Sequence, residues 1–411
     1  MRCKKLKYNI AVIGAGPSGI MAAGIASANG HKVSLFEKNN KIGKKLFITG
    51  KGRCNITNAS YIQEFFENII SNEKFLYSSF YSYTNEDIIK LLNSYGLVTK
   101  VERGNRVFPE SDKSSDVLKA FESFLRDKNV DIRLNTNVSD IKHKDDKFYL
   151  KVNGDELVFD KIVLATGGKS YPSTGSTGDG YKFAQDLGHN IIDTRPSLVP
   201  LEIKEDWVKD LQGLSLRNVS ISAYYREKKL YEDFGEMIFT HYGISGPIIL
   251  SMSNYINKYP DKDIKISIDL KPALDLEKLD ERLLKDFEKY NNKQFNNGLT
   301  DLFPKKLIPT IIELSGIDPY KTIHQISKEE RSSLLHLIKN LTMTFKAFRP
   351  IEEAIVTAGG IDTKEINPST MESKLVSGLF LAGELIDVHG LTGGYNLQIA
   401  YSTGYLAGSN I

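Results

Sequence analysis

Cysteine is scarce in this sequence: its 411 residues include two, Cys3 and Cys54. Two cysteines form at most one disulfide, so a disulfide-stabilised secreted scaffold is excluded and a reducing cytoplasm is expected. They form no C-x-x-C motif, which argues against a dithiol redox centre of the kind that thioredoxin reductases carry. No histidine lies near Cys54 in the sequence, so we expect Cys54 to be a packed small residue rather than a nucleophile.

The sequence also lacks a long apolar run and an excess of charge of one sign. No uninterrupted apolar stretch is long enough to cross a membrane. Its 54 basic and 51 acidic residues leave a net charge of +3, so no nucleic-acid partner is expected. The basic, then apolar, N-terminus imitates a signal peptide, but three glycines interrupt the apolar run and a folded segment explains it better. A chain of this length is expected to hold two or three domains.

The strongest pattern runs from Tyr8 to Glu37. An apolar strand ends at Ile13, the sequence Gly14-Ala15-Gly16-Pro17-Ser18-Gly19 follows, and a helix of small apolar residues leads to a second strand. In this dinucleotide fingerprint the first glycine permits a tight turn, the second lets the backbone approach a pyrophosphate, and the third allows close helix–strand packing. The free N–H groups at the helix start attract the phosphates. Glu37 is placed to accept the two hydroxyls of an adenosine ribose, which disfavours a 2′-phosphate. The alternative is a glycine-rich loop in an ordinary α/β core.

A second unusual stretch is KIGKKLFITGKGRCNITN, residues 41–58, with three glycines and five cations. Its hydrophobic periodicity is weak, so we expect a loop that wraps the cofactor beside the pyrophosphate, and the alternative is a solvated basic loop. Arg53 is placed to reach a phosphate or a flavin carbonyl. The predicted cofactor-binding residues of this stretch are Lys45, Gly52, Arg53, Cys54 and Asn55.

Local signals predict several elements of the middle of the chain. Thr84 and Asp87 resemble a capping box at the start of a helix that runs to Tyr95. Asn153-Gly154 between two alternating runs predicts a β-hairpin within a β-meander. A buried strand then runs into Ala165-Thr166-Gly167-Gly168, a second close backbone approach at which we place the cofactor. Gly175 to Gly180 lacks the fingerprint spacing, so no second Rossmann unit for a tightly held nicotinamide is predicted.

The composition changes near Asp193, where strand patterns and then helical patterns interrupted by prolines begin. We therefore predict an inserted β domain over residues 194–274 and a small helical subdomain over residues 275–345. Phe239-Thr240-His241-Tyr242-Gly243 is the most site-like segment of the insertion, because a strand ends there in a glycine-rich turn. His241 is the candidate catalytic residue, and the alternative is a structural histidine.

The last 35 residues predict a return to the nucleotide domain. A buried strand ends at Ala382, Gly383-Glu384-Leu385-Ile386-Asp387 follows, and Gly393-Gly394 opens a final helix with free N–H groups. A helix N-terminus stabilises the negative charge that a reduced flavin carries, and Asp387 matches the acid that flavoproteins use near the ribityl chain. Residues 1–193 and 346–411 are therefore predicted to form one discontinuous Rossmann-type FAD-binding domain.

These segments together resemble a family of bacterial flavoproteins described as aminoacetone-oxidase-like, as related to a bile-acid-inducible reductase, or as NAD(P)/FAD-dependent oxidoreductases. The matching stretches are GAGPSG at 14–19, TGKGRCNITN at 49–58, ATGG at 165–168, FTHYGISGP at 239–247 and GELIDVHGLTGGYNLQIAYSTG at 383–404. The resemblance implies a glutathione-reductase-like α/β fold with FAD held by the terminal Rossmann halves. It also implies an inserted β domain and a small helical piece that cover the isoalloxazine.

The resemblance also implies which positions line the FAD. Val138 is expected to contact the adenine through its backbone, as the meander edge does in similar flavoproteins. The other positions carried over are Ser18, Glu37, Lys38, Arg53, Cys54, Asn55, Ala165, Gly383, Asp387, Gly394, Tyr395 and Asn396.

The expected function is hydride transfer between a small organic substrate and flavin N5, in a cleft between the Rossmann domain and the insertion. NAD(P)H as a transient co-substrate and oxygen, as in an amine or aminoketone oxidase, remain alternative electron partners. A flavin-dependent RNA-modifying enzyme and a non-catalytic flavin sensor are the competing classes. No metal, no membrane and a monomer or homodimer are expected.

Overall fold

The structure is a computed structural model that describes residues 7–259 and 263–411; Cys3 lies outside these ranges. The chain divides into two compact units. One unit joins the chain up to Ser197 with Ile351–Ile411, and the other is Leu198–Pro350. The division into two units does not separate residues 275–345 from the β domain, so a separate helical subdomain stays a prediction.

The chain up to Ser197 alternates strands and helices. The strands are β1 (Asn9–Ile13), β2 (Lys32–Phe36), β3 (Thr57–Asn58), β4 (Ile69–Ser71), β5 (Thr99–Glu102), β6 (Arg106–Pro109), β7 (Asp131–Arg133), β8 (Val138–Lys144), β9 (Lys147–Val152), β10 (Asp155–Phe159), β11 (Lys161–Leu164) and β12 (Ile191–Ser197). The helices are α1 (Pro17–Ala28), α2 (Lys44–Gly52), α3 (Ile62–Glu67), α4 (Tyr77–Ser82), α5 (Asn85–Ser94), α6 (Ser114–Asp127) and α7 (Asp179–Asp186).

The unit Leu198–Pro350 is built on a closed antiparallel barrel with helices. Its strands are β13 (Leu201–Ile203), β14 (Ser215–Tyr225), β15 (Lys228–Phe239), β16 (Gly243–Ser245), β17 (Ile264–Asp269) and β18 (Leu341–Phe348), in the order β13-β16-β15-β14-β17-β18. Pairing of Leu201 with Phe348 closes the barrel. The helices are α8 (Trp207–Asp210), α9 (Pro247–Ile256), α10 (Leu276–Lys289), α11 (Ile308–Ser315) and α12 (Lys328–Lys339).

The last part of the chain completes the first unit. It contributes β19 (Val356–Ile361), β20 (Leu379–Leu381), β21 (His389–Gly390) and α13 (Tyr395–Ser409). A five-stranded parallel sheet results, in the order β20-β11-β1-β2-β7. Ile13 pairs with Leu164 and with Phe36, and Leu164 pairs with Leu381, so the carboxyl ends of four strands align at one edge. Ligands of open α/β sheets bind at this edge.

Helices α1 and α13 pack closely and run in the same direction. A Cβ on Gly404 would lie 2.2 Å from the carbonyl oxygen of Ser18, and one on Gly408 would lie 2.5 Å from that of Ala22. From the first contact to the second, the residue number rises by four in both helices, so the helices run in the same direction. Gly404 is nine residues after the start of α13, whereas Ser18 is one residue after the start of α1. The N-terminus of α13 therefore extends about 12 Å past that of α1, at 1.5 Å per residue.

Most sequence-based element predictions are confirmed, and one is wrong. The Rossmann-type α/β class, the meander hairpin β9–β10 and the capping box at Thr84 are present. The stretch 41–58 was expected to be a loop, but it contains α2. Among the described residues no helix is long and apolar enough to span a membrane.

Candidate functional site

The three glycines of the fingerprint lie at the carboxyl end of β1, each for a different steric reason. Gly14 has φ +100°, and its Cβ would meet the carbonyl oxygen of Ala165 at 2.5 Å. A Cβ on Gly19 would lie 1.8 Å from the carbonyl oxygen of Gly14. A Cβ on Gly16 would have no described atom within 4 Å, so the space there is open. Pro17 is the first residue of α1, where a missing N–H costs nothing.

Glu37 follows β2 directly and is buried, with 9% of its surface exposed. Its Oε2 accepts a hydrogen bond from the amide of Ala15 (2.9 Å), inside the fingerprint turn. Its Oε1 accepts bonds from the backbone and side-chain amides of Asn39 (2.9 and 2.7 Å). Thr136 donates its amide to the carbonyl of Glu37 (2.9 Å), and buried Val138 begins β8 two residues later. The predicted ribose and adenine positions are therefore neighbours in the fold.

Replacing Glu37 by alanine is expected to weaken FAD binding about tenfold, which corresponds to about 1.4 kcal/mol. The free energy of unfolding should also fall by about 1–2 kcal/mol, because the amides of Ala15 and Asn39 lose their acceptor. FAD titration of the apoprotein and thermal unfolding measure the two effects. Glu37→Gln is the matched control, since its amide oxygen remains an acceptor and should recover most of the stability. Wild-type flavin occupancy in the alanine variant would refute the ribose assignment.

Helix α2 lies beside the fingerprint turn. The amide of Gly43, which precedes the helix, donates to the carbonyl of Ala15 (2.8 Å). Lys44 Nζ contacts Asn39 Oδ1 (3.3 Å), and Lys45 Nζ donates to Glu384 Oε2 (2.7 Å). The start of α2 thus contacts both the fingerprint turn and the turn after β20. The helix was not predicted, because the sequence of this stretch is cationic and rich in glycine. These contacts place the stretch beside other predicted cofactor positions.

Two cations predicted at the cofactor are engaged with protein carboxylates. Arg53 follows Gly52 at the end of α2; its guanidinium pairs with Glu102 and with Asp112 (Nε to Oδ1 2.8 Å) and lies 4.2 Å from the ring of Phe108. The expectation that Arg53 reaches a phosphate or a flavin carbonyl is thus not supported by its contacts, because both carboxylates hold its charge elsewhere. Lys38 Nζ donates to Thr177 Oγ1 (2.5 Å) and pairs with Asp179 (2.7 Å).

Cys54 is a fully buried free thiol with φ +61°. Burial raises its pKa to about 12, against the opposing effect of a hydrogen bond with Thr49. The folded thiol is thus protonated at pH 8, as expected for a packed residue rather than a nucleophile. Because the ordinary thiol value is 9.0, the unfolded chain ionises first between pH 9 and about 12, and this thiol's contribution to stability declines over that window.

We expect iodoacetamide at pH 8 to leave Cys54 unmodified in the native protein and to alkylate it after denaturation. Mass spectrometry of the peptide that contains Cys54 measures this directly and is not affected by Cys3. Rapid modification of the native protein would show that the thiol is accessible or ionised, and would contradict its assignment as a packed residue.

Buried polar atoms without protein partners occur in the turn after β11, in the segment after α2 and in α7. Ala165 and Gly167 flank Thr166, whose Oγ1 is buried. Among the described residues, Thr166 Oγ1, Asn55 Oδ1 and the hydroxyl of Tyr181 have no hydrogen-bond partner. Buried polar atoms are normally satisfied. Tyr83, His143 and Tyr401 of this unit also carry unpartnered atoms, so the argument for a polar ligand applies to Thr166 and Asn55, which lie in predicted cofactor segments. Tyr181 was not found from the sequence, where it appears as one apolar residue of a helix.

The C-terminal turns contact the fingerprint helix and β3. Gly383 has φ +79°, and its Cβ would lie 2.4 Å from Ser18 Oγ. Gly394 has φ +105°, and its Cβ would lie 2.4 Å from the carbonyl carbon of Thr57. Asn58 Nδ2 donates to the carbonyl of Gly393 (3.1 Å), immediately before α13 opens at Tyr395. Segments predicted from opposite ends of the sequence therefore meet.

Two polar residues of this region already have protein partners. Asn396 accepts from the amide of Gly390 (2.8 Å) and donates to its carbonyl (2.8 Å), so its side chain fixes the loop before α13. Asp387 Oδ2 and carbonyl accept from Asn72 Nδ2 (3.0 and 2.7 Å). Burial raises the pKa of the Asp387 carboxyl, which Asn72 partly opposes.

His241 lies in the barrel unit, on the tight turn between β15 and β16. Thr240 donates its amide to the carbonyl of Gly243 (2.8 Å) and accepts that residue's amide at Oγ1 (3.1 Å). The exposed His241 ring lies edge-on to Tyr242 (4.7 Å), and the guanidinium of Arg349 lies 4.5 Å from the Tyr242 ring. Arg349 is held by Glu202 (2.8 Å). We name His241, Tyr242 and Arg349 the barrel cluster.

Two further features bear on the site. A surface cavity of about 670 Å³ lies in the barrel unit, lined by Asn296, Ile308, Pro309, Ile312, Glu313, Gly316, Ile317, Asp318 and Pro319. It includes none of the predicted cofactor residues. Within residues 7–259 and 263–411 no group of three or more His, Cys, Asp or Glu side chains is arranged to hold a metal.

The first unit has the features that a dinucleotide such as FAD requires. Open space lies above Gly16, Thr166 Oγ1 and Asn55 Oδ1 in the predicted cofactor segments lack protein partners, and two parallel helices begin about 12 Å apart along their axes. Phosphates at the start of α1 and a flavin ring at the start of α13 would both face unpaired N–H groups. The residues present therefore fit the group.

Comparison with known proteins agrees with this fit. A family model described as HI0933-like protein Rossmann domain matches residues 8–410. A 3-dehydro-bile acid delta(4,6)-reductase from Clostridium scindens is 35% identical over 404 residues, 97% of this chain and 98% of the relative. A ribosomal RNA dihydrouridine synthase from Haemophilus influenzae is 34% identical over 406 residues, 97% of both chains, and one from Escherichia coli is 30% identical over 410 residues, 98% of both.

Solved structures show the same fold at lower identity. A 3-ketosteroid-delta4-(5alpha)-dehydrogenase from Rhodococcus jostii has a TM-score of 0.51 and 15% identity, covering 100% of this chain and 98% of that one. A 3-ketosteroid delta1-dehydrogenase from Sterolibacterium denitrificans has a TM-score of 0.51 and 12% identity, with 98% of both chains covered.

Proposed function

The chain belongs to the HI0933-like family of Rossmann-type FAD-binding oxidoreductases, and from this membership we propose that it reduces a carbon–carbon double bond conjugated to a carbonyl. The electrons would come from NAD(P)H. This nucleotide would bind transiently, because the sequence holds one dinucleotide fingerprint and FAD is proposed to occupy it. The residues proposed to hold FAD are those predicted from the sequence, except Lys45, Arg53, Glu384 and Asn396, whose side chains bind the surrounding protein.

The observation that carries this proposal is that the names of two kinds of relative describe reduction of the same type of bond. A delta(4,6)-reductase of a 3-dehydro bile acid and a dihydrouridine synthase match almost the whole chain at 30–35% identity. The names imply reduction of a double bond conjugated to the 3-keto group in the first case and of the uracil C5=C6 bond in the second. In each, the π bond breaks and two C–H bonds form, one with a hydride and one with a proton.

Each part of the chain has a defined task in this chemistry. A bound flavin, once reduced by NAD(P)H, would supply the hydride to the substrate. The amides at the start of α1 hold phosphates, and those at the start of α13 favour negative charge on the reduced ring. The barrel cluster provides a guanidinium and an imidazole, which suit polarisation of the substrate carbonyl and delivery of the proton.

Two classes of substrate remain in competition, and the small molecule is preferred. The dihydrouridine synthase relatives favour a uridine in ribosomal RNA as the second candidate. RNA binding depends on neutralising phosphates, whereas this chain has a net charge of only +3. A steroid-like enone needs no such field. Amine or aminoketone oxidation with oxygen, the other alternative, lacks support among the named relatives.

The test begins with the absorbance spectrum of the purified protein, followed by anaerobic mixing with NADH or NADPH. We expect a flavin band that one of them bleaches. A 3-keto-4-ene steroid acid and a uridine-containing ribosomal RNA fragment are then added separately, and mass spectrometry looks for the gain of two hydrogen atoms. Reduction of the steroid supports the first candidate, and salt-sensitive reduction of the RNA supports the second. A flavin that neither nucleotide bleaches would end the reductase proposal and return the oxidase to consideration.

A further inference from the structure

The first turn of α2 carries positive side chains at the end of the helix that already has partial positive charge. Lys44 and Lys45 open the helix, and its first turn contains no acidic residue. The N-terminus of a helix has partial positive charge, so cations there are unfavourable by a few tenths of a kcal/mol to about 1 kcal/mol. Tertiary contacts must therefore hold the start of this helix in place.

Lys45 makes the strongest of these contacts. Its Nζ lies 2.7 Å from Glu384 Oε2 and 2.6 Å from Ser170 Oγ. The other carboxylate oxygen, Oε1, accepts from the amide of Thr357 (2.8 Å) and from Ser170 Oγ (3.0 Å). The Lys45 and Glu384 side chains are 24% and 21% exposed. Burial opposes ionisation of Glu384, but Lys45 lowers its pKa below the ordinary value, so the carboxyl is charged at neutral pH.

This ion pair joins parts of the chain that are distant in sequence. Lys45 and Glu384 are 339 residues apart, Ser170 follows β11, and Thr357 lies in β19. Glu384 directly follows Gly383, whose missing side chain leaves room for Ser18 of α1. At the same end, α2 is attached to the fingerprint turn through the amide of Gly43, which donates to the carbonyl of Ala15 (2.8 Å). The helix start is thus tied at two points of the edge where the dinucleotide is expected.

Both oxygens of Glu384 are occupied by protein donors, so this carboxylate has little capacity left for a ligand. Lys45 has two of its three donors engaged. We propose that Lys45 and Glu384, with Ser170, form a clasp that keeps α2 closed beside the cofactor and sets the rate at which FAD leaves. They are positioning residues, in place of the direct cofactor contacts predicted from the sequence. The clasp rests on the proposed FAD binding.

The test measures the rate of FAD release from the holoprotein, by the rise in flavin fluorescence after dilution with excess phosphodiesterase, which hydrolyses released FAD to the more fluorescent FMN. Lys45→Met, Glu384→Gln and the double variant are compared. Each single variant is expected to release FAD about tenfold faster, and the double variant no faster than either, because one interaction is removed in all three. Lys45→Arg restores the ion pair and should return the rate to near wild type. Glu86→Gln, which breaks the exposed Lys90–Glu86 pair, is the control and should change nothing.

Two further measurements keep the result interpretable. Flavin circular dichroism in the visible region should broaden in the single variants, whereas loss of general stability alone would not alter it in the remaining holoprotein. Ser170→Ala removes one hydroxyl only and should release FAD at an intermediate rate. This variant tests the clasp even where the charge variants fold poorly. Apoprotein melting temperatures identify any such failure.

The opposite pattern would overturn the clasp. If Lys45 binds FAD directly, Glu384→Gln frees its ammonium and release becomes equal or slower, while Lys45→Met alone accelerates it. Wild-type protein that binds no FAD would instead defeat the proposed function, so the two failures are distinguishable.

Discussion

Replacing Gly16 by alanine is expected to weaken FAD binding by at least tenfold, about 1.4 kcal/mol. The stability of the apoprotein should change by less than about 1 kcal/mol, because the poorer helix cap is offset by the reduced freedom of the unfolded chain. Gly16 has φ −78° and ψ −179°, which alanine adopts without strain. Of the described atoms, none lies within 4 Å of the added Cβ, so the methyl group meets only the ligand. FAD titration of the apoprotein and its thermal unfolding measure the two quantities separately.

Gly19→Ala, three residues along the same turn, is the matched variant and should behave in the opposite way. Its Cβ would lie 1.8 Å from the carbonyl oxygen of Gly14, a backbone atom that cannot move aside. We expect a loss of about 3 kcal/mol of unfolding free energy, at the upper end of the range for overpacking. Wild-type FAD affinity in Gly16→Ala would show that no phosphate passes above Gly16, whatever Gly19→Ala does.

His241→Ala is expected to lower the turnover of substrate about 100-fold with little change in FAD affinity. General acid catalysis contributes factors of this size, and the His241 ring is exposed beside Tyr242 and the Arg349 guanidinium. Stopped-flow measurement separates the two half-reactions. Reduction of the flavin by NAD(P)H should stay at its wild-type rate, whereas its reoxidation by the enone substrate should slow.

His324→Ala is the control for this variant, because His324 is another exposed histidine of the same unit and lies outside the barrel cluster. It should leave both half-reactions unchanged. An unaltered reoxidation rate in His241→Ala would return His241 to a structural role and leave Arg349 as the remaining candidate for polarising the carbonyl.

Local signals allowed much of the fold to be predicted from the sequence. The capping box at Thr84 depends on a partner three residues away, and the β9–β10 hairpin depends on two turn residues. Helix α2 could not be found in this way. Its glycines and leading lysines disfavour a helix locally. It is held by contacts with Ala15 and Glu384, which sequence spacing does not reveal.

Long-range partners explain the other differences. Arg53 appeared free to meet a ligand, but its carboxylate partners Glu102 and Asp112 lie 49 and 59 residues away. Strand patterns were predicted for part of the barrel, but its closure depends on the pairing of Leu201 with Phe348, 147 residues apart. The strand, turn and helix of the fingerprint could be predicted because the whole motif is contiguous, whereas the unpartnered hydroxyl of Tyr181 is visible only in the packed structure.

The contact of Gly404 with Ser18 has a consequence during synthesis on the ribosome. The surface proposed to receive the flavin ring is complete only after α13 has left the exit tunnel and packed against α1. A nascent chain that stalls in the barrel unit should therefore stay colourless. A yellow colour would then report that translation has passed residue 404 and that α13 has packed against α1.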